Sequence, residues 1–169
     1  MIFDENMQRI SELDRNHPEY NVVLNYLKWI ACLPYGKFAE ENFDLEQARK
    51  ILDEDHEGLE DVKNRILEFL AVGKIKKTVK GKILCLKGPP GVGKTSFAFS
   101  IGKVLNKKVF RISLGGENDV SVLKGHRKTY IGSKPGKIID ALKQTQQENC
   151  VLIIDEIDKT AQASAFGDP

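Results

Sequence analysis

"KILCLKGPPGVGKTSFAFSI", residues 82–101, is the stretch whose reading decides the fold. Its centre, Gly88 to Thr95, satisfies G-x-x-x-x-G-K-[ST], a pattern expected by chance in about one chain in two hundred of this length. An apolar run precedes it (Ile83 to Leu86), and Phe97, Ile101, Val104 and Leu105 follow it at helical spacing. That is the strand–loop–helix context in which the pattern has a mechanism. Glycine admits positive φ and lets the backbone wrap closely, so successive N–H groups converge on phosphate oxygens. The N-terminus of the new helix adds its partial positive charge. On this reading Gly88, Pro89, Pro90, Gly91, Val92, Gly93, Lys94, Thr95 and Ser96 cradle a nucleotide's phosphates. Lys94 reaches the β- and γ-phosphates, and the Thr95 hydroxyl ligates Mg²⁺.

A second motif lies about sixty residues on: "VLIID" (151–155) followed by Glu156. Asp155, at the carboxyl end of a buried strand, is placed to hold the magnesium through its water shell. Glu156 is placed to polarise an attacking water. A P-loop kinase or small GTPase need not carry this glutamate, so its presence favours ATP hydrolysis coupled to mechanical work.

The pattern outside these motifs is mixed. Tyr20, Val23, Leu24, Leu27 and Ile30 form a helical stripe stopped by Pro34. After a loop over 34–43, Asp44 reads as an N-cap with Gln47 completing a capping box. Leu45, Ala48, Ile51 and Leu52 follow on one helix face. Gly58 breaks the chain, and Leu59, Val62, Ile66, Phe69 and Leu70 form a further stripe ending near Gly73. Beyond the basic linker 74–82, "ILCL" (83–86) predicts a buried parallel strand, "KVFRISL" (108–114) a second and "VLIID" a third. A polar segment spans 115–135, and a helix with Ile138, Ile139 and Leu142 inward precedes the third strand. Alternating strands and helices predict an α/β fold with a parallel sheet and flanking helices. The expected division is a helical region (1–43), linker helices (44–80) and a P-loop core (81–169).

Bulk composition agrees with a soluble, ordered chain: 41% hydrophobic and 30% charged, with a net charge of +2 that by itself argues for no polyanion. Lysines and arginines crowd at 74–87 and 124–137, which leaves DNA binding open. Cys32, Cys85 and Cys150 lie far apart with no C-x-x-C or Cys/His spacing, indicating neither disulfides nor zinc. Cys85 and Cys150 read as small core residues. No apolar stretch approaches the ~20 residues that cross a bilayer. "MIFDENMQRI" resembles neither a secretory signal nor a transit peptide, which leaves a cytosolic chain or one whose leader lies outside this sequence.

"LDEDHEGLEDVKNRILEFLAV" (52–72), "GKILCLKGPPGVGKTS" (81–96), "RISLGG" (111–116), "KGHRKTYIGSKPGKII" (124–139) and "IIDEIDK" (153–159), in that order, resemble the ATPase region of the Lon family of ATP-dependent proteases. The likeness runs from about residue 6 to the end and is closer to the mitochondrial members. It implies a hexameric AAA+ ring that uses ATP and Mg²⁺ to unfold proteins for a fused Ser-Lys protease, in the mitochondrial matrix rather than the cytoplasm. It also assigns Tyr130 and Ile131 to a substrate-gripping pore loop, and places His56, within 53–60, on the adenine side of the nucleotide. Glu57, Lys134 and Phe99 depart from the family pattern. An AAA+ sheet has the order 5-1-4-3-2, of which this sequence supplies strands 1, 2 and 3, and it contains neither lid, arginine finger nor protease site. The resemblance therefore predicts unpaired strand edges, marginal stability and weak hydrolysis, since an arginine finger is worth about 10³–10⁵ in rate. The alternative is a stand-alone nucleotide-binding or regulatory chain without catalysis.

Overall fold

A computed structural model describes residues 2–79, 81–116, 121–126 and 133–159. The chain divides into two compact units. One comprises residues 38–113 and 147–155, and the other the described residues of 1–37, 114–146 and 156–169.

The first unit holds the P-loop. Helices α3 (Leu45–Asp55), α4 (Glu60–Lys76) and α5 (Lys94–Val104) pack around a core of Ala48, Leu52, Ile66, Leu70, Phe97, Ile101, Val104 and Leu105. These belong to the apolar stripes expected from sequence, except that Leu59, counted among them, is exposed at the N-cap of α4. Leu52 and Leu70 are wholly buried, each burial being worth about 1.5–3 kcal/mol. Asp44 caps α3 as expected, its Oδ1 accepting from the amides of Glu46 (2.9 Å) and Gln47 (3.1 Å). The capping box does not close. Asn42 donates to Gln47 Oε1 (2.7 Å) and its own Oδ1 accepts the Asp44 amide (3.0 Å), so the reciprocal role falls to Asn42. Between α3 and α4, Gly58 and Leu59 take left-handed conformations, φ +70° and +56°. The turn is stapled by charge. Lys63, 2% exposed, donates to Asp53 (2.7 Å), while Arg49 donates to Asp53 (3.0 Å), Asn64 (2.9 Å) and Glu60.

α4 does not end near Gly73; it runs on to Lys76 and closes on Lys77 in the left-handed region. Gly73 is a packing residue: a Cβ there would sit 2.8 Å from both Phe43 Cε1 and Val79 Cγ1.

The sheet has two strands among the described residues. β1 (Val109–Ser113) and β2 (Val151–Asp155) pair in parallel, Val109 opposite Val151 through Ser113 opposite Asp155. The run 83–86, expected as a buried strand, joins no ladder among the described residues. Ile83 is 93% exposed, and Cys85 is exposed rather than in the core. Apolar composition is not enough, because a strand exists only where a neighbour accepts its hydrogen bonds. The fold is α/β, with helices beside a small parallel sheet.

In the second unit, α1 (Ile2–Glu12) lies against α2 (Pro18–Ala31), and α2 buries Val23 and Leu27 from its predicted stripe. α7 (Lys137–Thr145) places the Lys143 ammonium 4.0 Å from the Trp29 ring centroid. Its buried face is Ala141 and Thr145, while Ile138, expected inward, is exposed. The short α6 (Ser121–Lys124) leads into an antiparallel bridge between Gly125 and Pro135. Tyr130 and Ile131 lie outside the described residues. Among the described residues no helix is long and apolar enough to cross a membrane.

Candidate functional site

The loop from Gly88 to Gly93 carries positive φ at Gly91 (+81°) and Gly93 (+84°), the conformations that turn consecutive amides to one side. Gly93 is also the N-cap of α5, and no side chain caps that helix. A Cβ on Gly93 would also sit 3.1 Å from Ser96 Oγ, a tight contact added to the strain of its positive φ. Lys94 donates to the carbonyls of Gly88 (2.9 Å) and Pro89 (2.6 Å). Neither partner carries a formal charge, so the ammonium remains attractive to an anion.

α5 packs on β2, and this joins the two motifs. The Thr95 hydroxyl donates to Asp155 Oδ2 at 3.0 Å across 60 residues of sequence. Arg111 of β1 reaches the same oxygen, Nη2 to Oδ2 2.8 Å. A hydroxyl and a carboxylate brought together beside a backbone anion cradle form the oxygen donor set that magnesium takes when it arrives with a phosphate. The residues fit a magnesium–nucleotide.

His56 lies at the C-cap of α3. Its ring stacks on Phe97 of α5, centroids 3.7 Å apart and planes 11° from parallel. His56 Nε2 meets Ser100 Oγ at 2.9 Å, and Ser100 donates to Asp55 Oδ2 at 2.9 Å, which makes Nε2 the protonated nitrogen. Lys103 completes the chain on Asp55 (3.0 Å). Burial pushes the imidazole below its ordinary pKa of 6.5, with Asp55 opposing and Lys63 reinforcing. The Lys103 hydrogen bond, then that of Ser100, holds Asp55 below the usual 3.8. The tract 53–60 is thereby fastened to the helix that begins at the P-loop.

In the second unit, Glu156 has left-handed backbone, φ +57°, and pairs with Lys159. Such a conformation costs a residue other than glycine about 1–2 kcal/mol. A Cβ on Gly115 would meet the Glu156 carboxylate, the far end of a side chain that can swing aside.

Sequence reasoning missed Arg111. Its signal was a lone charge inside "VFRIS", legible only once that strand is placed beside Asp155. Ser100 and Asp55 were missed as well, because their roles depend on the packing of α3 against α5.

A P-loop whose threonine meets the acid of a parallel strand defines a nucleotide-binding class. The pattern of the ATPase family associated with various cellular activities (AAA) matches residues 84–168, and the chain belongs to that family. Over 168 residues it is 54% identical to the "Lon protease homolog, mitochondrial" of Eremothecium gossypii, and 51% identical to those of Saccharomyces cerevisiae and Homo sapiens. Each match covers 99% of this chain but only 16%, 15% and 17% of those relatives respectively. The chain thus spans about a sixth of the length of the curated relatives it matches, in their ATPase region.

Proposed function

We propose that this chain binds ATP with Mg²⁺ and hydrolyses it as the ATPase part of a Lon-type protease of the mitochondrial matrix. The observation that carries the reading is the 3.0 Å contact between Thr95 and Asp155, which joins the P-loop to the acidic motif. Lys94 exchanges its carbonyl partners for the β- and γ-phosphate oxygens, and the backbone amides from Gly91 to Ser96 hold the remaining phosphate charge, since Pro89 and Pro90 have no N–H to give. Thr95 and Asp155 hold the cation, Asp155 through water. Magnesium, when bound, neutralises charge that develops on the phosphate oxygens. Glu156 keeps the role that the family resemblance assigns it, the base for the attacking water. The His56 tract borders the adenine. Tyr130 and Ile131 grip unfolded protein in a hexameric ring, whose neighbouring subunit supplies the arginine that speeds hydrolysis.

The test is fluorescent-nucleotide binding by wild type and Lys94→Ala. Lys94 stands for two charge-assisted hydrogen bonds, each worth about 1.5–3 kcal/mol, so affinity should fall at least ~100-fold. Equal affinity in both proteins refutes the site.

A further inference from the structure

Asp155 is held from two sides, and only one of its holders belongs to a recognised motif. Thr95 approaches from the P-loop helix; Arg111 approaches from β1, and both end on Oδ2. Register explains why an arginine fits. Ser113 is the residue directly opposite Asp155, and Arg111 lies opposite Ile153, two residues back along the same strand face. From 111 a side chain must span a diagonal, which suits an extended guanidinium. Arg111 is also the sole charged residue of β1, between half-buried Phe110 and buried Ile112.

The geometry points to Arg111 as a positioning residue for the magnesium–nucleotide site, an inference that rests on the nucleotide reading above. Arg111 has no phosphate or metal to touch in this role. It acts through Asp155, fixing the carboxylate rotamer so that Oδ2 receives the Thr95 proton. With its proton committed to Asp155, Thr95 Oγ1 presents lone pairs, rather than its O–H, to an incoming cation. Without Arg111 the carboxylate turns among rotamers and Thr95 regains a free hydroxyl rotor. Partners that orient metal ligands in this way typically contribute about 10–100-fold to metal affinity or activity.

The contribution is confined to what magnesium adds. The experiment therefore measures nucleotide affinity of the full-length protein twice, in Mg²⁺ and in EDTA, for wild type, Arg111→Gln, Arg111→Lys and Asp155→Asn. Arg111→Gln should lower affinity about 10-fold in Mg²⁺ and leave the EDTA value unchanged. Arg111→Lys, which keeps the charge on a long stem, should recover part of the loss, and Asp155→Asn should abolish the Mg²⁺ increment. Thermal melts in EDTA check that Arg111→Gln is folded, as the solvent-facing side chain predicts. If Arg111→Gln binds equally to wild type in Mg²⁺, or more tightly, or loses as much in EDTA, the positioning role is wrong while the nucleotide site stands. If wild type shows no Mg²⁺ increment at all, both the inference and the reading beneath it fail.

Discussion

Replacing Ser100 by alanine cuts the link that fastens the 53–60 tract to the P-loop helix, and the size of the effect follows from the geometry. The hydroxyl sits 2.9 Å from His56 Nε2 and 2.9 Å from Asp55 Oδ2, in a residue 5% exposed. Alanine leaves the His56 N–H partly buried with its acceptor gone, which costs about 1–3 kcal/mol. Asp55 suffers less, since Lys103 still donates to it and solvent reaches it. One term opposes: alanine favours a helix interior over serine by up to about 0.5 kcal/mol. Net destabilisation should be about 0.5–2.5 kcal/mol, read by urea unfolding followed by far-UV circular dichroism at pH 7.5.

A double-mutant cycle separates this polar link from simple packing. His56→Phe keeps a ring on Phe97 while deleting the N–H, so in that background Ser100→Ala should cost less than about 0.5 kcal/mol. A coupling near 1 kcal/mol is what contacting residues show. An unchanged stability for Ser100→Ala, or the same loss in both backgrounds, refutes the hydrogen-bonded bridge.

The same histidine sets a pH dependence. Burial holds folded His56 below 6.5, so the unfolded chain binds its proton first; stability is fully present above pH 6.5 and declines below it. His56→Phe should flatten the profile between pH 8 and 5, and a wild-type profile without the decline there contradicts the buried imidazole. Asp53 and Asp55, both held below 3.8, add a separate loss that begins only beneath that value and survives in His56→Phe. Gly73→Ala should destabilise by about 1–2 kcal/mol in thermal melts even though alanine favours helices by about 1 kcal/mol, because its Cβ meets Phe43 and Val79 at 2.8 Å. A higher Tm for that variant contradicts the packing assigned to Gly73.

What sequence could and could not show divides along a physical line. Period-3.6 stripes and the Asp44 cap are local facts, and α3, α4 and α5 bury most of the residues expected of them; Leu59 is the exception, exposed where the chain turns into α4. Gly91 and Gly93 of the P-loop are local too, since each needs only its own positive φ. Strands are not local. "ILCL" and "VLII" are nearly the same apolar string, yet Val151 stands opposite Val109 while Ile83 is exposed beside no ladder among the described residues. The difference lies in the neighbour, which composition does not encode. The candidate site obeys the same division. Lys94 and Thr95 were readable from spacing, but Arg111 became readable only through a parallel register that sets it diagonally across from Asp155. His56 was placed by resemblance on the adenine side, whereas its stack on Phe97 and bond to Ser100 come from α3 lying against α5. A lone charge in a strand and a histidine at a helix end are therefore most informative as questions about the adjacent element. Here both answers lead to α5 or to the strand it packs on, and hence to the phosphate loop.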